Sequence, residues 1–234
     1  MTPISILFEN SELLLINKES GVSVQGGAGI SHPLDKELAA QLGYPVYLVH
    51  RLDKDTAGLL LVAKSSSAAA KWSTLISSHR VKKEYLAICL GDIHGKGSLV
   101  GTVEAHGRTQ QAELHYIIEG NSQISLPDST NKLSLSLVRV TLGTGRMHQI
   151  RIQLAQAGAP IAADDQHGDF KQNKLLRKLG IKKLQLAAVR LCLPIEGADR
   201  SFEIPLPAHM QAVVDKYLGS SRQQASQSKT GSIL

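Results

Sequence analysis

The sequence predicts an α+β fold built on a large mixed, mainly antiparallel sheet flanked by helices. Three observations carry that expectation. Short apolar or alternating runs of strand length recur between Ile4 and Leu193. Helical stretches fall between hairpin-like pairs of these runs. Strands and helices do not alternate regularly, as a doubly wound parallel sheet would require. At 234 residues, 42% hydrophobic and 20% charged, the chain can bury a sizeable core as one domain or two closely packed halves. The expected division is one domain over 1–218 and a disordered, Ser/Gln-rich tail over 219–234 with almost no apolar content.

In chain order, Ile4–Phe8 and Glu12–Asn17 read as strands joined by the turn Glu9-Asn10-Ser11. A Gly-rich loop follows from Lys18 to Gly29. It lacks both the Lys-Ser/Thr of a phosphate loop and a regular G-x-G-x-x-G opening a helix, so nucleotide binding is not expected there. Pro33–Leu42 reads as a short helix closed by Gly43. Gly58–Ala63 is a continuous apolar run too short for a helix, hence a buried strand. Ser65–His79 reads as a helix with serines to cap it, and Val81–Gly91 as a strand. Leu99–Tyr116 carries two hairpin-like strands and Leu133–Leu142 another, with a polar loop from Asn121 to Asn131 between them. The turn Gly143-Thr144-Gly145 leads into a helix ended by Gly158, with His148, Arg151 and Ala155 along one side and Ile150 and Leu154 along another. Phe170–Lys183 reads as a basic helical segment, Leu184–Leu193 as a long strand ending at Pro194, and Ala208–Leu218 as a terminal helix.

Composition narrows the function classes. No apolar run approaches the ~20 residues of a membrane span, and Met1–Asn10 lacks the pattern of a signal peptide. Cys89 and Cys192 lie far apart in strand-like surroundings and read as buried small hydrophobes in a reducing cytoplasm. The net charge of +6 and pI near 9.3 lean mildly toward a polyanion. With 4% aromatic residues, an exposed stacking platform for bases is not expected, so any RNA would be held through phosphates and a pocket for one base. A metal site is not expected: no two of the nine histidines lie within a helical turn of each other, and neither cysteine has a ligand-like neighbour.

The chemistry concentrates in His50-Arg51-Leu52-Asp53-Lys54-Asp55-Thr56, seven residues of cation, carboxylate and hydroxyl running straight into the apolar strand. A polar turn anchored to a buried strand can hold a charged group still in a dry site. Asp53 is the candidate group. Taken alone, it reads more readily as a turn former whose carboxylate bonds its own backbone. Asp55 is too near Asp53 to act as its opposed partner in a glycosidase-like pair.

These words together resemble the RluA family of pseudouridine synthases. His50-Arg51-Leu52-Asp53 with Thr56, Gly58 and Leu59-Leu60-Leu61 matches its central motif, with Ala57 where Ser is usual. Asn17-Lys18-Glu19-Ser20-Gly21 resembles the first motif, with Glu19-Ser20 in place of Pro-Ala. Lys83, Tyr85, Ala87 and Gly91 match the third, and Gly143–Arg151 with Gln153–Gly158 the fourth. The match continues through Pro160-Ile161 and Asp164, with Ala163 and His167 where Gly and Tyr are usual. The resemblance spans Ile4 to Pro205, the catalytic domain without a preceding S4-type RNA-binding domain.

The resemblance implies a cofactor-independent isomerisation of uridine to pseudouridine in structured RNA, ribosomal or transfer. It implies Asp53 as nucleophile, Arg151 as the guanidinium that keeps it ionised, and Tyr85 packed on the base. Arg51 would fill the space left by a flipped nucleotide, and His50, Thr56, Lys83, Arg146 and His148 would line the substrate site. His50 and His148 also read as structural side chains. The cations Lys171, Lys174, Arg177, Lys178, Lys182 and Lys183 are either a phosphate track or a solvated face. A cytoplasmic monomer that binds neither DNA nor membrane is expected. Two other readings remain at this stage: a non-catalytic RNA-binding or assembly factor keeping the fold, and an N-glycosidase releasing uracil.

Overall fold

A computed structural model of the chain describes residues 3–27, 29–105, 107–125 and 132–219. Its elements in order are β1 (Ile6–Glu9), β2 (Leu13–Lys18), α1 (Leu34–Leu42), β3 (Tyr47–Leu48), β4 (Ala57–Ala63), α2 (Ser66–Ser77), β5 (Lys82–Leu90), β6 (Lys96–Ala105) and β7 (Arg108–Ser125). There follow β8 (Lys132–Leu142), α3 (Gln149–Gln156), α4 (Phe170–Lys178), β9 (Leu186–Ile195), β10 (Ala198–Glu203) and α5 (Ala208–Val213), which continues as a π-helical turn over Val214–Leu218. The class is α+β, as expected. The chain forms two compact units, one from 1–84 with 187–205 and one from 85–186 with 206–234.

In the first unit the strand order is β1-β2-β4-β9-β10, with β3 also on β4. All these pairs are antiparallel except β4 with β9, which run parallel where Ala57 meets Ala187 and Gly58 meets Ala188. Every residue of β4 is buried, which is why its sequence shows no alternation. On one face Leu13 and Leu15 of β2, Leu59 and Leu61 of β4, and Leu191, Leu193 and Ile195 of β9 pack with Trp72 of α2. The Trp72 indole donates to Glu12 at 2.9 Å, so the largest core side chain leaves no polar group stranded. Ser65 caps α2 by accepting from the Ala68 N–H, and Gly43 closes α1 at φ 76°.

In the second unit the order is β5-β8-β7-β6. The long hairpins β6–β7 and β7–β8 are antiparallel, the second interrupted by a register shift between Ile118 and Gly120. The core here comes from alternate residues of the sheet, among them Ile88, Leu90, Leu114, Leu135 and Val138, with Ile150, Leu154 and Leu176 from α3 and α4.

Several boundaries differ from expectation, each for a local reason. The polar stretch after Asn121 is strand as far as Ser125, because Asn121–Ser125 pair in register with Lys132–Ser136 and partner strands satisfy the backbone whatever the side chains. Residues 126–131, the rest of that expected loop, and the tail from 220 onward lie outside the described residues. The strand expected to stop at Pro194 runs to Ile195 and turns back as β10. Glu196 and Gly197 both have positive φ (53° and 81°), the signature of a two-residue type I′ hairpin loop. The basic segment is helical only to Lys178, with Lys182 and Lys183 beyond Gly180, whose φ is 86°.

A very tight backbone approach lies where β4 begins. Gly58 has φ 110°, and a Cβ there would sit 2.1 Å from the Ala188 carbonyl oxygen. Gly58→Ala is therefore expected to destabilise the protein by about 3 kcal/mol or more, from combined strain and clash. Equilibrium urea unfolding at pH 7 measures this, and an unchanged midpoint would contradict the close approach.

Candidate active site

The loop from His50 to Thr56 joins β3 to β4 in the first unit. The Thr56 N–H bonds the Asp53 carbonyl at 3.1 Å, closing a turn around Lys54 and Asp55. Leu52 is buried and anchors the loop, Asp53 is half-buried, and Arg51, Lys54 and Asp55 are exposed. The turn is held from outside by the segment after β2. The Lys18 ammonium, 1% exposed, donates to the carbonyls of Glu19, Val22 and Lys54 at 2.9, 2.9 and 2.8 Å. All three of its N–H donors are used. The Gly21 N–H bonds the same Lys54 carbonyl at 2.9 Å, and the Ser20 hydroxyl bonds the Asp55 carbonyl at 2.9 Å. Ser20, a departure from the family pattern, thus adds a direct tie to the turn.

Burial lowers the Lys18 pKa to about 8, against the opposing pull of the Asp55 and Asp53 carboxylates. His50 accepts from the Leu61 N–H of β4 through Nε2 at 3.0 Å. Burial first, and the Lys83 charge second, push its imidazole down to about 3. It is a neutral side chain bonded to the strand backbone, which fits the structural reading. Thr56 is buried, and Lys83 in β5 has its pKa lowered by burial.

The second unit holds the other group of expected residues. Tyr85 in β5 is buried, 6% exposed. The Gly143–His148 turn is fixed through Glu113. The Gly143 and Thr144 amides bond its carbonyl at 3.0 and 3.1 Å, and its own N–H bonds the Thr144 hydroxyl oxygen at 2.9 Å. Gln149 bridges that hydroxyl, the Arg146 N–H and the Glu113 carbonyl, at 2.7, 3.0 and 2.9 Å. His148 does not share a helical face with Arg151. It precedes α3 with φ 52°, and its Nδ1 lies 2.8 Å from Nε2 of His167. The departure at His167 therefore supplies a partner for His148.

Arg151 is buried and forms a two-pronged pair with Asp164, Nε to Oδ2 and Nη2 to Oδ1, both at 2.7 Å. Nη2 also reaches Gln166 at 3.2 Å. Asp164 further accepts from the Gln166 and His167 amides at 2.9 and 3.0 Å. Burial alone would raise its carboxyl, but the bonds from Arg151, His167 and Gln166 outweigh that and hold it below the usual range. Asn173 of α4 clamps the bend from both sides, bonding the Ala163 N–H and the Asp164 carbonyl at 2.9 and 2.8 Å. Ala163 has φ 58°, the left-handed conformation for which glycine is the easy residue, so the departure there adopts a glycine-like backbone.

The structure thus brings His50, Arg51, Asp53, Thr56 and Lys83 together in one unit, and Tyr85, Arg146, His148 and Arg151 in the other. Sequence reading missed the roles of Lys18 and Asp164, although both fall inside quoted motifs. Among the described residues no three His, Cys, Asp or Glu side chains cluster as a metal site would need.

Comparison with known proteins decides the class. Residues 12–156 match the family described as RNA pseudouridylate synthase. The chain belongs to that family. It is 34% identical over 221 residues to the ribosomal large subunit pseudouridine synthase C of Haemophilus influenzae, covering 90% of this chain and 68% of the relative. The same identity holds over 232 residues with the enzyme of that name from Pasteurella multocida, covering 94% and 69%. Among solved structures, human RNA pseudouridylate synthase domain containing 1 superposes with a TM-score of 0.73 at 21% identity, covering 98% of this chain and 96% of that one. Human RNA pseudouridylate synthase domain containing 4 gives 0.70 at 23%, covering 91% and 92%. These two show a shared fold. The protein is accordingly an RNA pseudouridine synthase, an isomerase.

Two predictions test the synthase's scaffold. Lys18→Met should leave the Glu19, Val22 and Lys54 carbonyls without their donor, costing about 3 kcal/mol of stability. The single-turnover rate at saturating RNA should drop by about tenfold or more. Equal rates in a folded variant would show that Lys18 does not position the loop. For Asp164, whose folded pKa is depressed, the stabilisation is present above the unfolded value of about 4 and lost as pH falls through the folded value. Asp164→Asn should therefore lower the urea midpoint at pH 7, by about 3 kcal/mol for a broken buried pair, and much less at pH 2. A difference independent of pH would contradict the ionised pair.

Proposed function

We propose that this synthase isomerises uridine in ribosomal RNA to pseudouridine, with Asp53 as the nucleophile and the target nucleotide flipped out of its helix. The observation that carries the reading is the Asp53 turn itself. A half-buried carboxylate sits at the head of a fully buried strand, its backbone tied by Lys18, Ser20 and Gly21. Electrostatic preorganisation of this kind lets a carboxylate react without first rearranging its surroundings. Ribosomal RNA as the substrate rests on the names of the relatives above.

The reaction breaks the bond between ribose C1′ and uracil N1 and makes one between C1′ and C5. A proton leaves C5 and N1 gains one, so no cofactor is required by the balance of atoms. Asp53 attacks in its ionised form, with Arg151 as the guanidinium that favours that form and Asp164 fixing the orientation of Arg151. Tyr85 packs on the base and keeps it in place during its rotation. Arg51, exposed on the same turn as Asp53, occupies the stack vacated by the flipped nucleotide. His50, Thr56, Lys83, Arg146 and His148 complete the substrate site. Lys171, Lys174 and Lys178 on the exposed side of α4, with Lys182 and Lys183, follow the RNA phosphates. Arg177 is the weaker member of that track because it bonds Asp165 at 2.5 Å.

Asp53→Asn keeps the shape of the side chain and removes the nucleophile. Pseudouridine in digested ribosomal RNA, measured by reverse-phase chromatography after incubation, should become undetectable while RNA affinity stays within about twofold. Turnover near the wild-type rate would refute Asp53, and free uracil from the wild-type protein would favour glycosidic cleavage over isomerisation.

A further inference from the structure

The second unit contains a cavity of about 350 Å³ between the segment after α4 and the α5–π-turn element. Its lining includes Lys182, Lys183 and Lys216, together with Gln185, His209 and Tyr217. Two of these carry a buried polar atom without a hydrogen-bond partner: the Tyr217 hydroxyl and Gln185 Oε1. Gln185 is 1% exposed, and its Nε2 already donates to the Lys183 carbonyl at 2.8 Å, which assigns its unsatisfied atom as the acceptor. A buried polar atom left unpaired costs about 1–3 kcal/mol, so two around one cavity whose lining includes three lysines call for an occupant. That occupant needs negative charge for the lysines, an acceptor for the phenol, and a hydroxyl or amine hydrogen for Gln185. Chloride or sulfate supplies the first two and not the third, whereas hydrogen phosphate or a ribose-phosphate unit supplies all three.

We propose that this cavity binds one ribose-phosphate unit of an RNA strand. The lysines and the Tyr217 hydroxyl take the phosphate, and a ribose 2′-hydroxyl donates to Gln185. Lys216 lies over the Tyr217 ring at 4.9 Å, so the cation and the phenol belong to one local group. A DNA strand has no 2′-hydroxyl and would leave Gln185 unpaired, giving the subsite a preference for RNA. The proposal rests on the RNA-modifying reading and extends the basic segment from a charged surface to a defined subsite. His209 reports on it. Its Nε2 lies 3.2 Å from the Leu184 carbonyl, and burial and the Lys183 charge lower its pKa, with the Leu184 bond opposing. A phosphate beside Lys183 should raise it.

The test uses uridine-free octamers, oligo(rA) and oligo(dA), with the full chain, so that the catalytic pocket is offered no substrate base. Oligo(rA) should raise the His209 pKa followed by NMR, and should bind about fivefold tighter than oligo(dA). Tyr217→Phe should weaken oligo(rA) binding about fivefold and erase little else, while Lys182→Gln with Lys216→Gln should weaken it further and flatten its salt dependence. Thermal unfolding confirms that each variant is folded, and the wild-type His209 titration needs no variant. A His209 signal indifferent to oligo(rA), equal affinity for the two octamers, or binding untouched by Tyr217→Phe would overturn the proposal. Adenosine 3′-monophosphate binding as tightly as oligo(rA) would overturn its assignment to a strand. Pseudouridine formation by the wild-type enzyme on ribosomal RNA is measured alongside, so loss of the subsite and loss of the catalytic reading give different results.

Discussion

The loop that carries Asp53 depends on a buried ammonium group. Lys18 leaves the end of β2 and turns inward, where its three N–H groups meet three backbone carbonyls, one of them from Lys54 in the Asp53 turn. Taking a charge out of water is costly, and the depressed pKa of Lys18 records that cost. The return is rigidity: two chain segments 36 residues apart are tied by a charge-assisted bond next to the proposed nucleophile. A loop stitched only by water would have to order itself at each turnover.

The second unit solves a similar problem with a different chemistry. Helix α3 buries Gln149, Arg151 and Gln153 along with Ile150 and Leu154, so its interior face is as polar as it is apolar. Each polar side chain has its partner. Gln149 and Gln153 bond one another and backbone carbonyls, and Arg151 bonds Asp164. A network so fully satisfied fixes one arrangement, whereas an apolar face could repack in several ways. The cost falls on the backbone at Ala163 and His148, both held at positive φ at the edges of the network.

Much of the architecture was legible in the sequence because it follows from patterns that need no knowledge of distant contacts. The apolar run of β4, the Ser65 and Gly43 caps, and the polar turn at Asp53 are of that kind. The roles of Lys18 and Asp164 were not legible. A lysine that bonds carbonyls, or a carboxylate that grips an arginine 13 residues away, is defined by tertiary placement, and composition gives no sign of it. The helical face drawn through His148 failed because one residue in the left-handed region breaks the 100° periodicity on which such a face is drawn. β10 escaped notice although Glu196-Gly197 was a readable signal, since the alternation in Ala198–Glu203 is weak and five of its six residues are exposed or polar.

The parallel register of β4 against β9 has a consequence for how the protein is made. Ala57 and Gly58 leave the ribosome before their partners Ala187 and Ala188, which follow some 130 residues later. Closing so long a loop is slow, and the pairing cannot begin before the intervening unit has been synthesised. Until then β4 has β2 along one edge and, on the other, only the two-residue β3 at its far end, so the edge beside Ala57 and Gly58 stays open. The Asp53 turn at its head is therefore among the last parts of the molecule to acquire its final form, and neither that loop nor the sheet beside it is finished until translation has passed β9.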